Sequence, residues 1–268
     1  MVDDGSSDST GEICNRYADE HKNFSVIHQN NQGVSAARNN AMKLARGEFI
    51  TFLDADDEIP NDYFAKLVES QKATNADITV CDVVILSDGA EVNRFTCGDK
   101  VLSREEALNY LLSREYINSG PYAKLFRKSL IEALSFPPLK AYEDILFVTD
   151  AFNCASVIAV TCQTEYRYIQ NSAGAMSSFS KCPSMDVMKA TERLISFIKV
   201  HDKLSPKCFY ITLSHLMQYV QSLSDNNASD ALIFKKSARK LFRNNAGEIL
   251  TCSAFPWKEK VVFILFAF

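Results

Sequence analysis

The sequence predicts an α/β fold, with a mostly parallel sheet flanked by helices and a region of helices after it. Strand-like and helical patterns alternate at short intervals over the first third of the 268 residues, which is typical of a parallel sheet with helices on its faces. Acidic residues follow two of the apolar, strand-like segments. From about Ser184 the apolar spacing is helical only. We therefore expect an α/β unit at 1–180 and a helical region at 181–268.

Apolar stripes predict the helices, and short apolar runs predict the strands. In the first third this gives, in order, a helix around 13–18, a strand at 24–28, a helix at 36–45, a strand at 48–53, a helix after Pro60 and a strand at 78–86. Beyond that point, Ser103 and Glu106 have the spacing of a capping box at a helix start. Further strands are predicted at 122–126, 156–161 and 165–169.

Composition and charge restrict the possible classes of protein. Apolar residues make up 47% and charged residues 23% of the chain, as in ordinary globular proteins. Eight scattered cysteines without metal-ligand spacing, and no signal peptide, favour reduced thiols and a cytoplasmic location. Residues 199–268 hold ten Lys and Arg against five Asp and Glu, which suggests an anionic partner. No compact basic stripe with aromatic residues indicates nucleic acid.

Three aspartates, Asp54, Asp56 and Asp57, directly follow the apolar run Phe49–Leu53. Oxygen ligands on one short loop suit Mg²⁺ or Mn²⁺, which takes its remaining ligands from water and substrate phosphates. A solvated turn rich in aspartate explains the same residues. This segment taken alone fits both interpretations.

Two earlier segments also combine polar residues with a predicted sheet edge. Asp3 and Asp4 precede a Gly-Ser turn and a helix, and ligands of open α/β sheets bind where strands end in this way. Arg38 and Asn39 lie near the start of the second helix, where the arginine suits a phosphate or a carboxylate. Each segment alone is equally explained by helix caps and a surface arginine.

Together these segments resemble the family-2 inverting glycosyltransferases, which have the GT-A fold, a Rossmann-like α/β domain that binds a nucleotide-sugar. The resemblance is carried by Val2-Asp-Asp-Gly-Ser6, Asn31-Gln-Gly-Val-Ser-Ala-Ala-Arg-Asn39 and Phe52-Leu-Asp-Ala-Asp-Asp57. It is strong over residues 2–86. It continues more weakly through Tyr142-Glu143-Asp144 and Tyr166-Arg-Tyr168 to about Ser178.

The resemblance implies a role for each matching residue on the donor side. Asp3 and Asp4 would meet the base and ribose of the nucleotide, and Arg38 would shape the nucleotide pocket. Asp54 would face the ribose. Asp56 would bind Mg²⁺ or Mn²⁺ on the diphosphate, with Asp57 as an outer-shell partner of the metal.

The resemblance also implies the chemistry. Glu143 and Asp144 match the acidic pair that supplies the catalytic base, and Asp144 is the residue expected to take the proton. The reaction would move a sugar from a nucleotide-diphosphate donor to a glycan or lipid-linked acceptor with inversion, in the synthesis of a cell-surface polysaccharide or glycan. Acids at a helix N-terminus also have a purely structural explanation, since they complement the helix dipole. A non-catalytic GT-A-like remnant is the alternative function.

Members of this family have a strand with a Pro-x-Tyr/Asn-type segment, and then a helix, ahead of the Val-Asp-Asp-Gly-Ser motif. In the sequence that motif follows Met1 directly. The missing strand would be central in the sheet. We therefore expect apolar sheet edge and adjoining core to be exposed near this motif.

The C-terminal region suggests contact with a membrane surface. In Asp230–Arg243, apolar residues share one helix face and five basic residues share another, a pattern typical of helices on anionic membranes. Trp257 and two lysines then precede the apolar run Val261–Phe268, which is much shorter than the ~20 residues of a spanning helix. We expect an interfacial anchor at the inner face of the membrane. The alternatives are a core-packed helix with a solvated basic face and a tail docked on the protein.

Overall fold

The structure is a computed structural model that describes residues 1–170, 184–223 and 228–268. The strands are β1 Val2–Asp3, β2 Ile27–His28, β3 Phe49–Thr51, β4 Ile78–Ser87, β5 Ala90–Phe95, β6 Lys100–Ser103, β7 Lys124–Arg127 and β8 Val157–Gln170. The helices are α1 Thr10–Glu20, α2 Val34–Leu44, α3 Tyr63–Thr74, α4 Arg104–Leu112, α5 Lys128–Ile131, α6 Glu143–Cys154, α7 Met185–Val200, α8 Pro206–Ser222, α9 Ala228–Asn244, α10 Ala246–Thr251 and α11 Trp257–Ala267.

The α/β class is confirmed, but the larger sheet is mixed rather than mostly parallel. Its strands lie in the order β3-β7-β4-β8-β6, and β5 pairs with β4. Among these described strands only β4 and β8 run parallel, while β1 and β2 form a separate parallel pair. Apolar periodicity predicts where a strand is but not its direction, which depends on the connections between strands. The prediction of a mostly parallel sheet is therefore corrected.

Strand β8 replaces the two short strands that the sequence predicts at its position. Its pairing with β4 shifts between Cys81, opposite Thr161, and Asp82, opposite Glu165. Such a bulge lets one strand bend and continue. The extension brings β8 beside the loop after β3, where the backbone groups of Glu58 and Arg167 exchange two hydrogen bonds of 3.0 Å. This contact places the predicted metal loop against the sheet.

The main hydrophobic core lies between the larger sheet and the helices. It includes Ile78 of β4, Ile158 of β8 and Phe147 of α6, and it continues into the C-terminal helices through Leu213 and Phe234. The capping box predicted at the start of α4 is confirmed, since Ser103 Oγ accepts from the Glu106 backbone N–H. The predicted boundary near residue 180 lies outside the described residues.

Helix α1 packs less closely than its apolar stripe suggests. Ile13 and Tyr17 keep 44% and 43% of their surface exposed, and nearby Phe24 keeps 42%. No residue of α1 is buried. Beside β1 and β2 the structure therefore presents apolar surface.

The C-terminal helices combine a packed side with an exposed one. On α9, Phe234 and Phe242 are fully buried, so the apolar face of this helix belongs to the core. Helix α11 docks through Phe263 and Ala267. In the part of the chain that the structure describes, no helix has the length and apolar character to cross a bilayer.

Candidate active site

The loop that follows β3 is held in a tight turn against β8. The Asp57 backbone N–H donates to the Asp54 carbonyl oxygen at 3.2 Å. The Tyr166 hydroxyl donates to Asp57 Oδ2 at 2.6 Å and accepts from the Asp54 N–H at 3.1 Å. The Ile169 N–H binds the other oxygen of Asp57. Burial raises the pKa of Asp57, although these hydrogen bonds favour its ionised form. Asp57 therefore fixes the shape of the loop through its hydrogen bonds to β8.

Arg38 connects two of the predicted site segments. From α2, its Nη2 donates to Asp54 Oδ1 at 2.9 Å, and its Nη1 donates to Glu143 Oε1 at 3.2 Å. The Arg38 side chain is 14% exposed and the Glu143 side chain 11%. The planar guanidinium presents its N–H donors in a fixed fork, which suits it to bridging two carboxylates in this way. The bridge brings the aspartate loop to the start of α6.

Glu143 and Asp144 form the first turn of α6, after Tyr142 in a left-handed conformation with φ 62°. Asp144 is densely surrounded by protein atoms but keeps part of its surface open. Burial raises the pKa of both carboxyls, and in Glu143 the neighbouring Asp144 adds to the rise. A raised pKa makes a carboxylate a stronger base. The arrangement can thus accept a proton from a bound hydroxyl.

Asp3 is engaged with Ser6 and with His28 of β2, whereas Asp4 is engaged with the loop between β2 and α2. Asp3 accepts from the Ser6 N–H and lies 2.9 Å from His28 Nδ1, and hydrogen bonds from Ser6 lower the pKa of Asp3 to about 2. Asp4 accepts from the side chain of Gln29 and from two backbone N–H groups, those of Gln32 and Gly33. Burial opposes ionisation of Asp4, but these hydrogen bonds outweigh it and lower the pKa.

Asp56 differs from its neighbours because it is exposed and has no hydrogen bond or ion pair with any described residue. Its carboxylate is therefore available to a hard cation, which prefers oxygen ligands. No group of three or more His, Cys, Asp or Glu residues able to hold a metal occurs within the described ranges. A single exposed carboxylate such as that of Asp56 suits a cation that takes most of its ligands from water and phosphate.

The first half of the chain, residues 1–134, matches the family model described as glycosyl transferase family 2. The chain belongs to this family. A poly(ribitol-phosphate) beta-glucosyltransferase of Bacillus spizizenii is 32% identical over 207 residues, which are 75% of this chain and 32% of that protein. The putative glycosyltransferase EpsH of Bacillus subtilis is 32% identical over 219 residues, or 76% of this chain and 61% of EpsH. The chain thus spans about a third to three fifths of these relatives.

Solved structures show the GT-A fold of this family-2 member. TarS of S. aureus in complex with UDP-GlcNAc superposes with a TM-score of 0.57 at 21% identity, covering 99% of this chain and 69% of TarS. The mannosyltransferase PcManGT of Pyrobaculum calidifontis, in complex with GDP-Man and Mn²⁺, superposes with a TM-score of 0.51 at 16% identity. It covers 99% of this chain and 75% of that protein.

In this family-2 member the structure joins Arg38, Asp54 and Glu143 in one cluster, with Asp144 beside it. Within the part of the chain that the structure describes, Asp3 and Asp4 share no hydrogen bond or ion pair with these three residues. Asp3 binds Ser6 and His28, and Asp4 binds the β2–α2 loop. Sequence reasoning noted Tyr166 only as part of a weak resemblance and missed its contact with the aspartate loop. The alternating tyrosines of β8 were the available signal, because a buried tyrosine hydroxyl needs a partner.

Proposed function

We propose that this protein transfers a sugar from a nucleotide-diphosphate donor to an acceptor hydroxyl, with inversion at the anomeric carbon. The bridge that Arg38 makes between Asp54 and Glu143 carries the proposal, because it sets the donor-side loop beside the candidate base. Family membership and the named activities of the relatives support it. Residues 1–180 would form the donor and acceptor domain, and residues 181–268 a helical, basic region.

The donor would lie along the edge where β1 and β3 end. Asp3 and Asp4 would define the base and ribose site, Asp4 through the β2–α2 loop that it organises, and Asp54 would face the ribose. Arg38 holds Asp54 in place and adds positive charge beside the diphosphate. The complexes of TarS with UDP-GlcNAc and of PcManGT with GDP-Man are the reason for expecting a nucleotide-sugar.

Asp56 is the residue that would hold Mg²⁺ or Mn²⁺, because its carboxylate is exposed and unpaired among the described residues. Asp57 would act from the outer shell, since both of its oxygens are already engaged. When bound, the cation would offset the negative charge that grows on the departing diphosphate.

Asp144 would supply the base for the transfer. Its carboxylate takes the proton of the acceptor hydroxyl while that oxygen forms a bond to the anomeric carbon. The bond from this carbon to the diphosphate breaks, and its electron pair leaves with the nucleoside diphosphate. Glu143 stays paired with Arg38 and keeps the start of α6 against the aspartate loop. A single displacement of this kind inverts the anomeric centre.

Calorimetric titration of the full chain with UDP and Mn²⁺ tests this proposal. We expect UDP to bind only when Mn²⁺ is present, together with slow hydrolysis of UDP-sugars. Asp56→Asn should weaken Mn²⁺ binding by more than about 100-fold, because losing even an outer-shell partner costs roughly 10- to 100-fold. Asp62→Asn, a change at another exposed aspartate nearby, should have no effect. Absence of binding and hydrolysis in the wild type would favour the non-catalytic remnant.

We also propose that the protein acts in cell-surface polysaccharide or glycan synthesis, from the cytoplasmic side, with a glycan or lipid-linked acceptor. The support comes from the relative named as a poly(ribitol-phosphate) beta-glucosyltransferase and from the surface of the C-terminal helices. Trp257 and Leu265 of α11, and Phe268 directly after it, are 71–78% exposed. Their spacing places them on one stripe of the helix.

Basic residues of α9 adjoin this stripe. Arg239 and Arg243 lie 5.3 and 5.2 Å from the ring centroids of Phe266 and Phe268. Exposed apolar and aromatic residues flanked by Lys and Arg are typical of surfaces that rest on anionic lipid. We therefore propose peripheral contact of α9 and α11 with the inner face of the membrane.

Flotation with vesicles containing phosphatidylglycerol checks this contact. Substituting Lys236 and Lys240 with glutamine should weaken binding roughly 30-fold, since each basic residue contributes about 1 kcal/mol near an anionic surface. Trp257→Ala should weaken it further. A variant with glutamine at Lys22 and Lys72, on the N-terminal half, is the matched control. Equal flotation of all variants would contradict the proposal.

A further inference from the structure

Lys124 of β7 has a fully buried side chain that binds a loop from the inside. Its Nζ donates to the carbonyl oxygens of Asn118 at 2.8 Å, Gly120 at 2.7 Å and Tyr122 at 3.4 Å. The residue has no exposed surface, so it cannot touch a substrate. A charged lysine amino group has three N–H donors, and these three carbonyl groups account for all of them. Burial lowers the pKa of Lys124 to about 7.

The loop that Lys124 binds is closely packed. The Gly120 N–H donates to Asn118 Oδ1 at 2.8 Å. A Cβ atom added to Gly120 would lie 2.3 Å from Cε1 of the Tyr122 ring, a distance at which something must move. The backbone at Gly120 therefore rests directly against the Tyr122 ring, and the position of this ring depends on the loop.

Tyr122 connects the loop to the candidate active site through two other tyrosines. Its ring stacks on Tyr166 at 4.7 Å between centroids and on Tyr168 at 5.7 Å, with interplanar angles of 17° and 15°. Tyr166 is fully buried, and its hydroxyl group holds both Asp57 and the backbone of Asp54. A shift of the Tyr122 ring would therefore be transmitted to the aspartate loop.

We infer that Lys124 is a positioning residue for the Asp54–Asp57 loop and acts through Tyr122 and Tyr166. The inference rests on the proposed function, in which this loop receives the metal and the diphosphate. A hydrophobic residue of similar length would fill the same space but leave three carbonyl groups without a donor. Burial of the Lys124 amino group is costly, and its specific effect is to fix the geometry of the loop that it binds.

Calorimetry of the full chain with Mn²⁺ in the presence of UDP tests this role. Lys124→Met and Tyr166→Phe should each weaken Mn²⁺ binding about 10-fold, the lower end of the effect of outer-shell partners. Because Lys124 and Tyr166 act along one path, the double variant should lose little more Mn²⁺ affinity than either single variant. Gly120→Ala displaces the Tyr122 ring without removing a charge, and it should weaken Mn²⁺ binding as much as either single variant.

A matched control separates positioning from a general loss of stability. Leu108→Ala, at a buried position of α4 in the main hydrophobic core and outside the cluster that contains Tyr166, should lower the melting temperature but leave Mn²⁺ binding within about twofold of wild type at a temperature where it is folded. If Lys124→Met does not fold, the cycle of Gly120→Ala with Tyr166→Phe gives the same test. Three results would overturn the inference: Mn²⁺ affinity losses that multiply in the double variant, unchanged Mn²⁺ binding in the folded single variants, or an equal loss of Mn²⁺ affinity in Leu108→Ala. Absence of Mn²⁺-dependent UDP binding in the wild type would refute the proposed function instead.

Discussion

Asp144→Asn is expected to lower the rate of sugar transfer by about 10²- to 10⁴-fold, the usual contribution of a general base. Asparagine keeps the shape of the side chain and can still accept the Ile145 N–H, which binds Asp144 Oδ1 at 2.7 Å. The start of α6 should therefore stay intact. The affinity for UDP with Mn²⁺ should remain close to that of the wild type. Steady-state kinetics and calorimetry on the same preparation measure both quantities.

The pH profile gives a second readout of the same variant. Burial raises the pKa of Asp144, so wild-type transfer should begin to fall on the acid side at a pH above about 4, the usual value for aspartate. Residual transfer by the asparagine variant should lack this acid limb. Asp150→Asn, the same change later on α6 in a surface pair with Arg193, should keep wild-type rates and pH dependence. Full activity of the Asp144 variant would show that another group takes the proton.

Local elements of the fold were predictable from sequence because their causes are local. The capping box of α4 depends on two residues three positions apart, Ser103 and Glu106, and the buried face of α9 follows from helical spacing. The residues of the candidate site were named through motifs that lie within short segments. In each case the information is carried by neighbouring residues in the chain.

Contacts between distant segments were not predictable in this way. The direction of β7, antiparallel to β3 and β4, depends on the path of the chain between them. The hydroxyl of Tyr166 meets Asp57 across 109 positions in sequence. The apolar run around Lys124 predicts only a short strand, because a lone lysine in such a run gives no sign of the three carbonyl groups around it. Such contacts arise from tertiary packing, which overrides local patterns.

Arg38→Met is expected to lower the free energy of unfolding by about 3 kcal/mol, at the low end for breaking a buried ion pair. The low end applies because the Asp54 side chain keeps 32% of its surface exposed. Glu143 would be left largely buried without its counter-charge. The same variant should lose Mn²⁺-dependent UDP binding, because the aspartate loop is no longer joined to α6. Urea unfolding and calorimetry measure the two effects, and Arg46→Met, at an exposed arginine just after α2, is the control.

The pH dependence of this loss identifies its cause. The pKa of Glu143 in the folded protein is raised above its ordinary value, mainly by burial and then by Asp144, while Arg38 opposes the rise. A carboxyl group whose pKa is raised in the folded state contributes stability that is fully present below its pKa in the unfolded chain. That contribution is lost as the pH rises through its pKa in the folded protein. Without Arg38 the pKa of Glu143 rises further. The loss of unfolding free energy in Arg38→Met should therefore shrink as the pH is lowered through this pKa, because Glu143 becomes neutral. The guanidinium carbon of Arg38 also lies 5.4 Å from the ring centroid of Phe136. If the loss of unfolding free energy in Arg38→Met does not depend on pH between about 4 and 7, Arg38 stabilises the fold through packing on Phe136. In that case its charge does not join the aspartate loop to α6.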